Sequence, residues 1–338
     1  MASVTITVVN ALPEADWRQF VEAHPDANIF HTPEMFQAFT GVRGYRPTLW
    51  AAVEAGRPLA LLLPVEVTLF NGVLRPFTTR AIAYGSVLSA PSAEGQAALA
   101  RLLRAYARRA GRGALFTELR NLSDLSYAQA TLQSHGYRYE NHLNFLVDLR
   151  QPADNLWRKV TKSGQQSIRT ARNKGTTITE VAGRAQLAEA YALLQMVYSR
   201  SQVPLAHPSL FEAAFDVLGP RGMFKAFVAR AGEKPIGACL VLAWRDRVID
   251  WYAGTDRAFA AYAPMEALIW HVIGWARESG YTVFDFGGAG RPEEEYGPRR
   301  FKAKFGGDLV ELGRNVLVHS RARLWLGQWG YGLYRRLL

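Results

Sequence analysis

Apolar and polar residues alternate at the start of the chain: MASVTITVVN places Val4, Ile6 and Val8 between Thr5 and Thr7, which predicts a strand over 3–9. The period then lengthens, and PEADWRQFVEAHP at 13–25 predicts a helix, with a shorter one starting near Pro33. PTLWAAVEA and LALLLPVEVTLF flank a turn at Gly56-Arg57-Pro58 and predict a hairpin. Asn71-Gly72 predicts a second, two-residue hairpin, with strand continuing to about Ser89. An amphipathic helix over 92–110, a strand over 114–119, a helix near 124–134 and a strand over 137–148 complete the first half.

The second half follows the same order. LWRKVTKSGQQSIRTARNKG at 156–175 predicts one helix ending at Gly175, and a long helix near 184–200 aligns Leu187, Tyr191, Leu194 and Tyr198. Ser209 and Glu212 have the spacing of a capping box for the next helix. MFKAFVARA, PIGACLVLAW and RVIDWYAG predict a three-strand meander. Pro264 then opens a helix that Gly280 closes, apolar on nearly every face and so expected to be buried. FDFGGAG at 284–290 ends a strand, RRFKAKFGG follows at 299–307, and a last strand pair is expected near 308–319.

Two pairs of segments repeat in the letters. AVEAGRPLALLLPV at 52–65 matches VARAGEKPIGACLV at 228–241, and YARRAGRGALFTEL at 106–119 matches WARESGYTVFDFGG at 275–288. The offsets are similar, which indicates a duplicated domain. Each copy reads as a mixed α/β (α+β) unit: an antiparallel meander, then a helix and a crossover strand. That pattern resembles the GNAT acyltransferase fold. The division expected is a first GNAT-like domain over 1–148 and a second over 149–319 carrying the active site, with a helix at 320–338 returning to the first.

Composition narrows the chemistry. Across 338 residues, 49% hydrophobic and 20% charged content describes an ordinary globular chain. No apolar run reaches the ~18–20 residues needed to span a bilayer, and the start has no signal-peptide pattern. The single cysteine, Cys239, excludes an internal disulfide and a cysteine-based metal site. A cytoplasmic protein is expected. The net charge of +11 favours an anionic partner such as nucleic acid, a phosphorylated precursor or a membrane surface.

Distribution sharpens that charge. Residues 150–174 carry Arg150, Arg158, Lys159, Lys162, Arg169, Arg172 and Lys174 against Asp154 alone, while Leu156, Val160, Ile168 and Ala171 form an apolar stripe. This is an anion-binding surface or a plain solvated face. Arg200 can clamp a phosphate or satisfy helix-end carbonyls. Asp285, beside glycines, can handle a proton or cap a turn. Phe301, Lys302 and Lys304 can neutralise a phosphate or oxyanion, or line a strand edge. The tail at 321–338 mixes arginines with Leu324, Trp325, Leu326, Trp329 and Tyr334, and can lie on a membrane surface or dock on the protein. No G-x-S-x-G elbow, H-E-x-x-H or P-loop is present, and GTDRAFAAYAP stands where a pyrophosphate-binding glycine loop would precede the buried helix.

Taken together, WRKVTKSGQQSIRTARNKG, WYAGT, PMEALIWHVIGWARESGY, FDFGG and FKAKFGG resemble the Fem family of peptidoglycan-bridge peptidyltransferases, over most of residues 150–315. The resemblance implies two tandem GNAT-like domains and transfer of an amino acid (Gly, Ala or Ser) from charged tRNA to the side-chain amine of a lipid-linked or UDP-linked muropeptide precursor. It implies aminoacyl-tRNA as cosubstrate, no other cofactor, and a cytoplasmic location with peripheral contact at the inner membrane surface. By the same resemblance Lys302 stabilises charge at the tRNA end, Phe301 shapes the site, and Asp285 handles a proton. Arg200 and Tyr252 bind precursor, with Lys304, Arg300, Arg169 and Lys162 as further anion contacts. FHTPEMFQAF lacks the lysine that some members place near Phe30, and the helical-hairpin arm of larger members is absent. The competing expectations are a tandem-GNAT N-acyltransferase using acyl-CoA in envelope polysaccharide or lipid modification, and a non-catalytic protein that binds anionic polymers or membranes.

Overall fold

A computed structural model describes residues 5–70, 72–110, 113–201 and 204–326. The chain divides into two compact units, residues 1–141 with 312–338, and residues 142–311. The first unit runs β1 (Thr7–Val9), α1 (Glu14–Ala23), α2 (Pro33–Thr40), β2 (Tyr45–Pro47), β3 (Trp50–Glu54), β4 (Arg57–Leu62), β5 (Val65–Thr68) and a single-turn α3 (Arg75–Thr78). It continues through β6 (Thr79–Ala83), β7 (Val87–Ser89), α4 (Ala93–Ala110), β8 (Phe116–Arg120), α5 (Gln129–Ser134) and β9 (Arg138–Glu140). The second unit holds β10 (Leu143–Asp148), α6 (Ala153–Lys159), α7 (Lys162–Asn173), β11 (Thr176–Glu180), α8 (Arg184–Ser201), α9 (Pro208–Val217), β12 (Phe224–Ala231), β13 (Lys234–Trp244) and β14 (Arg247–Thr255). Helix α10 (Pro264–Glu278), β15 (Val283–Gly288), α11 (Gly297–Lys302) and β16 (Asp308–Glu311) complete it, and β17 (Arg314–Val318) returns to the first unit.

Among the described residues the first unit has two sheets, ordered β1-β3-β4-β7 and β2-β5-β6-β8-β17-β9, and the second has one, ordered β11-β12-β13-β14-β15-β10-β16. The duplicated segments take equivalent places. Residues 52–65 and 228–241 supply the hairpins β3–β4 and β12–β13, while 106–119 and 275–288 carry α4 into β8 and α10 into β15. In each copy that last strand joins its sheet in parallel, β8 beside β6 and β15 beside β14.

The buried helices follow their patterning. Leu99, Leu102, Leu103 and Tyr106 of α4 are buried at three- and four-residue spacing. In α10, Leu268, Ile269, Val272, Ile273 and Ala276 share a core with Phe284, Phe286 and Phe305. Removing each of these large side chains from water contributes about 1.5–3 kcal/mol.

Four local expectations are overturned. The β5–β6 connection is not a two-residue turn: after Thr68 the chain forms a 3₁₀ turn over Gly72–Leu74 and then α3, where Pro76 suits a first helical turn. The strand read over 137–148 is two strands in different units, β9 and β10. The helix read over 156–175 breaks at Val160, which is extended, and Thr161 caps α7 by accepting from the Gly164 amide at 3.2 Å. Helix α9 begins at Pro208, one residue before the Ser209 of the supposed capping box, and its cap is the His207 ring, which accepts from the Ser209 amide at 3.3 Å. The strands near 308–319 form but belong to different units, so the unit boundaries fall at 141/142 and 311/312 instead of 148/149 and 319/320. Helical residues 321–326 begin the tail; Trp329, Tyr334 and most of the 320–338 helix lie outside the described residues.

Candidate active site

Strands β14 and β15 set the geometry. They pair only from Arg247–Val283 to Ile249–Asp285; beyond that β14 runs to Thr255 and β15 to Gly288 without partnering each other. A bulge in β14 lies at the same level, where Val241 faces Asp250 but Leu240 faces Tyr252. Bulges re-aim side chains and end pairing next to functional sites. Past this level the two strands no longer bond each other, and the gap between them is where side chains from neighbouring elements enter.

Lys302, at the end of α11, fills the β15 side of this opening. Its ammonium donates to the carbonyls of Phe286 and Gly288, both at 2.6 Å. An ammonium has three N–H bonds, so one remains for another acceptor. Burial pulls the Lys302 pKa below its ordinary value, and the charges of Asp250 and Asp285 push back. Asp250, on the β14 side, is pushed up to about 6 by burial, with Lys302 opposing that shift. The Cys239 thiol lies 3.8 Å from its Oδ1. A carboxylate poised near neutrality beside a lysine donor can exchange a proton with an amine. Tyr198 of α8 feels both Asp250 and Tyr296, and burial with these neighbours raises its pKa to about 12.

The expected site residues distribute as follows. Asp285 is not at the mouth of its strand but fully inside it, with no exposed surface. Its carboxylate pairs with Arg247 at 3.2 Å and accepts from the Gly287 amide at 2.7 Å and Asn144 at 3.5 Å. Burial raises its pKa against the pull of Arg247. This arrangement anchors the strand end and keeps the group from solvent. Phe301 packs edge-on to Phe305 at 5.4 Å, beside the core. Lys304 is ion-paired with Glu266 at 2.8 Å. Arg300 is exposed, whereas its neighbour Arg299 donates to the Ala289 carbonyl at 2.8 Å and also reaches the Pro292 and Arg291 carbonyls. Tyr252 sits in an aromatic cluster with Phe211 at 4.9 Å, Trp251 at 5.1 Å and Tyr198 at 5.9 Å. Arg200 is exposed in the last turn of α8.

The FKAKFGG segment forms a helical turn, not a strand edge, and docks on the α6–α7 junction. The Thr161 amide donates to the Lys304 carbonyl at 2.8 Å. Gly306 has φ +71°, and a Cβ there would lie 2.5–2.6 Å from Lys159 atoms, so only glycine fits. The junction carries exposed cations next to this turn: Arg158, Lys159, Lys162, Arg169 and Arg172 are all exposed. Arg169 lies over the Trp157 ring at 5.4 Å. Asp250, Tyr198 and Arg299 were missed in the sequence reading. For Asp250 the signal was a lone carboxylate inside the apolar strand RVIDWYAG. Among the described residues no cluster of His, Cys, Asp and Glu is arranged to hold a metal, and no helix is long and apolar enough to cross a membrane.

Residues 158–302 match the model of the GNAT acetyltransferase domain. The chain is similar in fold to the crystal structure of FemX, with a TM-score of 0.70 at 15% identity over 97% of this chain and 99% of that one. This is a FemX-like tandem GNAT fold.

The same architecture occurs in the C-terminal domain of a putative lysylphosphatidylglycerol synthetase from Agrobacterium fabrum, with a TM-score of 0.59, 16% identity and 94% of each chain covered. It occurs again in a tandem GNAT protein from the clavulanic acid biosynthesis pathway, with a TM-score of 0.57, 11% identity, and 94% and 99% covered. None of the curated proteins matches the sequence.

Proposed function

We propose that this tandem GNAT protein transfers an aminoacyl group from charged tRNA to an amine of a cell-wall muropeptide precursor, lipid-linked or UDP-linked. The observation that carries the reading is Asp250, near pKa 6, facing Lys302 where β14 and β15 stop pairing. Asp250 takes a proton from the acceptor ammonium, and the neutral amine attacks the ester carbonyl. The free N–H of Lys302 donates to the developing oxyanion. Collapse forms the amide as the second proton of the attacking nitrogen passes to the departing ribose oxygen, and Asp250 releases the first proton to solvent. Tyr198 and Tyr252 wall the acceptor side, and the exposed cations of α6 and α7 take the phosphates of the tRNA end.

Two features support tRNA over an acyl-CoA donor. The first turn of α10 already carries an anion, Glu266, paired with Lys304, where a helix N-terminus would otherwise attract a pyrophosphate. Exposed cations continue along α6 and α7, a surface suited to a longer polyanion. The likeness to FemX and to the synthetase domain supports the reading at the level of fold.

The test is transfer from a panel of labelled aminoacyl-tRNAs to muropeptide precursors, with acyl-CoAs in parallel. Transfer from tRNA, with Asp250→Asn slowed by about 10²–10⁴-fold and the rate of the unaltered protein rising with pH through about 6, is the expected result. Transfer from acyl-CoA alone would replace the donor; an Asp250→Asn protein with unchanged rate and pH profile would remove the base.

A further inference from the structure

The first unit carries an apolar projection that the transfer reaction does not use. In the connection between β5 and β6, Leu69, Phe70, Val73 and Leu74 are 46, 38, 88 and 52% exposed. Scattered surface hydrophobics need no explanation, but a cluster on one loop marks an interaction site. The loop is held in this form from within. The Phe70 amide donates to the Thr78 hydroxyl at 3.2 Å, and that hydroxyl lies 3.0 and 3.1 Å from the carbonyls of Phe70 and Leu74. At the base, the Thr68 and Thr79 hydroxyls bond at 2.9 Å.

Immediately after the apolar tip, Arg75 and Pro76 become walls of an open cavity of about 780 Å³. Its other charged walls are Arg46, Arg109 and Glu66, and its apolar walls include Trp50 and Phe36. All three arginines are exposed, while Glu66 lies 3.8 Å from Arg75 and is 21% exposed. Three cations over one carboxylate leave an excess of two positive charges directly behind four exposed hydrophobics.

An apolar tip with arginines at its root is the arrangement of an interfacial membrane anchor, in which the hydrophobics enter the acyl boundary and the cations stay at the phosphates. We propose that this loop docks the protein on an anionic phospholipid surface, Val73 and Leu74 inserting and Arg46, Arg75 and Arg109 receiving headgroup phosphates. The chain's net charge of +11 favours the same surface. The inference is independent of the donor and acceptor proposed for the second unit.

The protein provides its own probe site. Cys239 is the only cysteine and is fully buried, so Val73→Cys directs an environment-sensitive thiol dye to the loop tip. The probe surfaces are phosphatidylcholine vesicles with and without phosphatidylglycerol. A blue shift confined to the anionic vesicles is expected. In sedimentation, Val73→Asp/Leu74→Asp should lower vesicle binding by about tenfold or more, and each of Arg46→Gln, Arg75→Gln and Arg109→Gln by about fivefold, with a shallower salt dependence. Excess glycerol phosphate should not release the bound protein. No shift, equal binding to neutral vesicles, undiminished binding by the aspartate variant, or release by glycerol phosphate would each overturn the proposal. A concentration-dependent shift without vesicles would assign the tip to a second copy of the chain instead.

Discussion

Asp285 separates two readings of the FDFGG segment, catalytic or structural, and its ion pair makes the distinction measurable. Replace Arg247 by Met. Asp285 is then left with no exposed surface and only the Gly287 amide and the distant Asn144 as hydrogen-bond partners. Removing one member of a buried pair costs about 3–5 kcal/mol, because the remaining charge is unsolvated and loses its directly bonded partner, here with only the Lys302 charge left to oppose it. Asp285→Asn should cost less, about 1–3 kcal/mol, since Arg247 is 26% exposed and can be hydrated. The double variant leaves no buried charge and should recover part of the Arg247→Met loss, a coupling of about 1–3 kcal/mol in a double-mutant cycle.

The pH dependence has a definite sign. Burial already raises the Asp285 pKa above its unfolded value, and losing Arg247 raises it further. A carboxyl with a raised folded pKa keeps its proton in the folded state after the unfolded state has released it. Stability is therefore highest below the unfolded value of about 3.9 and falls as pH rises toward the folded one. Arg247→Met should regain stability on acidification from about pH 7 to pH 5 relative to the unaltered protein, by at most about 1.4 kcal/mol per pH unit. Urea unfolding followed by tryptophan fluorescence at the two pH values reads all four proteins. An Arg247→Met protein within 1 kcal/mol of the parent, or a double variant worse than the two singles together, would refute the argument.

Lys302→Met removes the cation that opposes the upward shift of Asp250, so the acid limb of the pH–rate profile should move above pH 6 as the rate falls; an unmoved limb would mean the two groups do not interact. Gly306→Ala meets both a positive φ and the Lys159 backbone, and should lower stability by about 2–4 kcal/mol in thermal unfolding. Lys162→Gln and Arg169→Gln lie on an exposed cationic face; each should weaken binding to the tRNA end while reducing the slope of log affinity against log salt by about 1, with melting temperatures unchanged.

Much of the architecture was legible in the letters. Pro264 and Gly280 bracket α10 because a missing N–H costs nothing at a helix start and a left-handed residue ends it. The meander and the duplicated hairpins were visible because both faces of those strands are apolar. What stayed hidden depends on distant partners. Asp285 reads as a free carboxylate until Arg247, far off in the chain, is placed beside it. Asp250 reads as one polar residue in a strand until β15 is seen to leave its side. The 137–148 segment reads as one strand because only Asn141 and His142 separate β9 from β10. Residues 299–305 read as no regular element because their charges mask a helix in whose first turn Pro298 lies.

The placement of β17 has a consequence for how the protein is made. It lies between β8 and β9, pairing with both in register at Arg314 to Val316. The whole second unit lies between those two strands and β17 in the chain. At about 5–20 residues per second, a ribosome needs roughly 10–35 seconds after finishing β9 to deliver β17. For that interval β8 and β9 have no strand to join them, and a growing chain carries an open edge of the kind that recruits neighbours. The order of synthesis thus makes the N-terminal unit the last to close. A chaperone requirement should fall on nascent chains longer than about 140 residues and shorter than about 320.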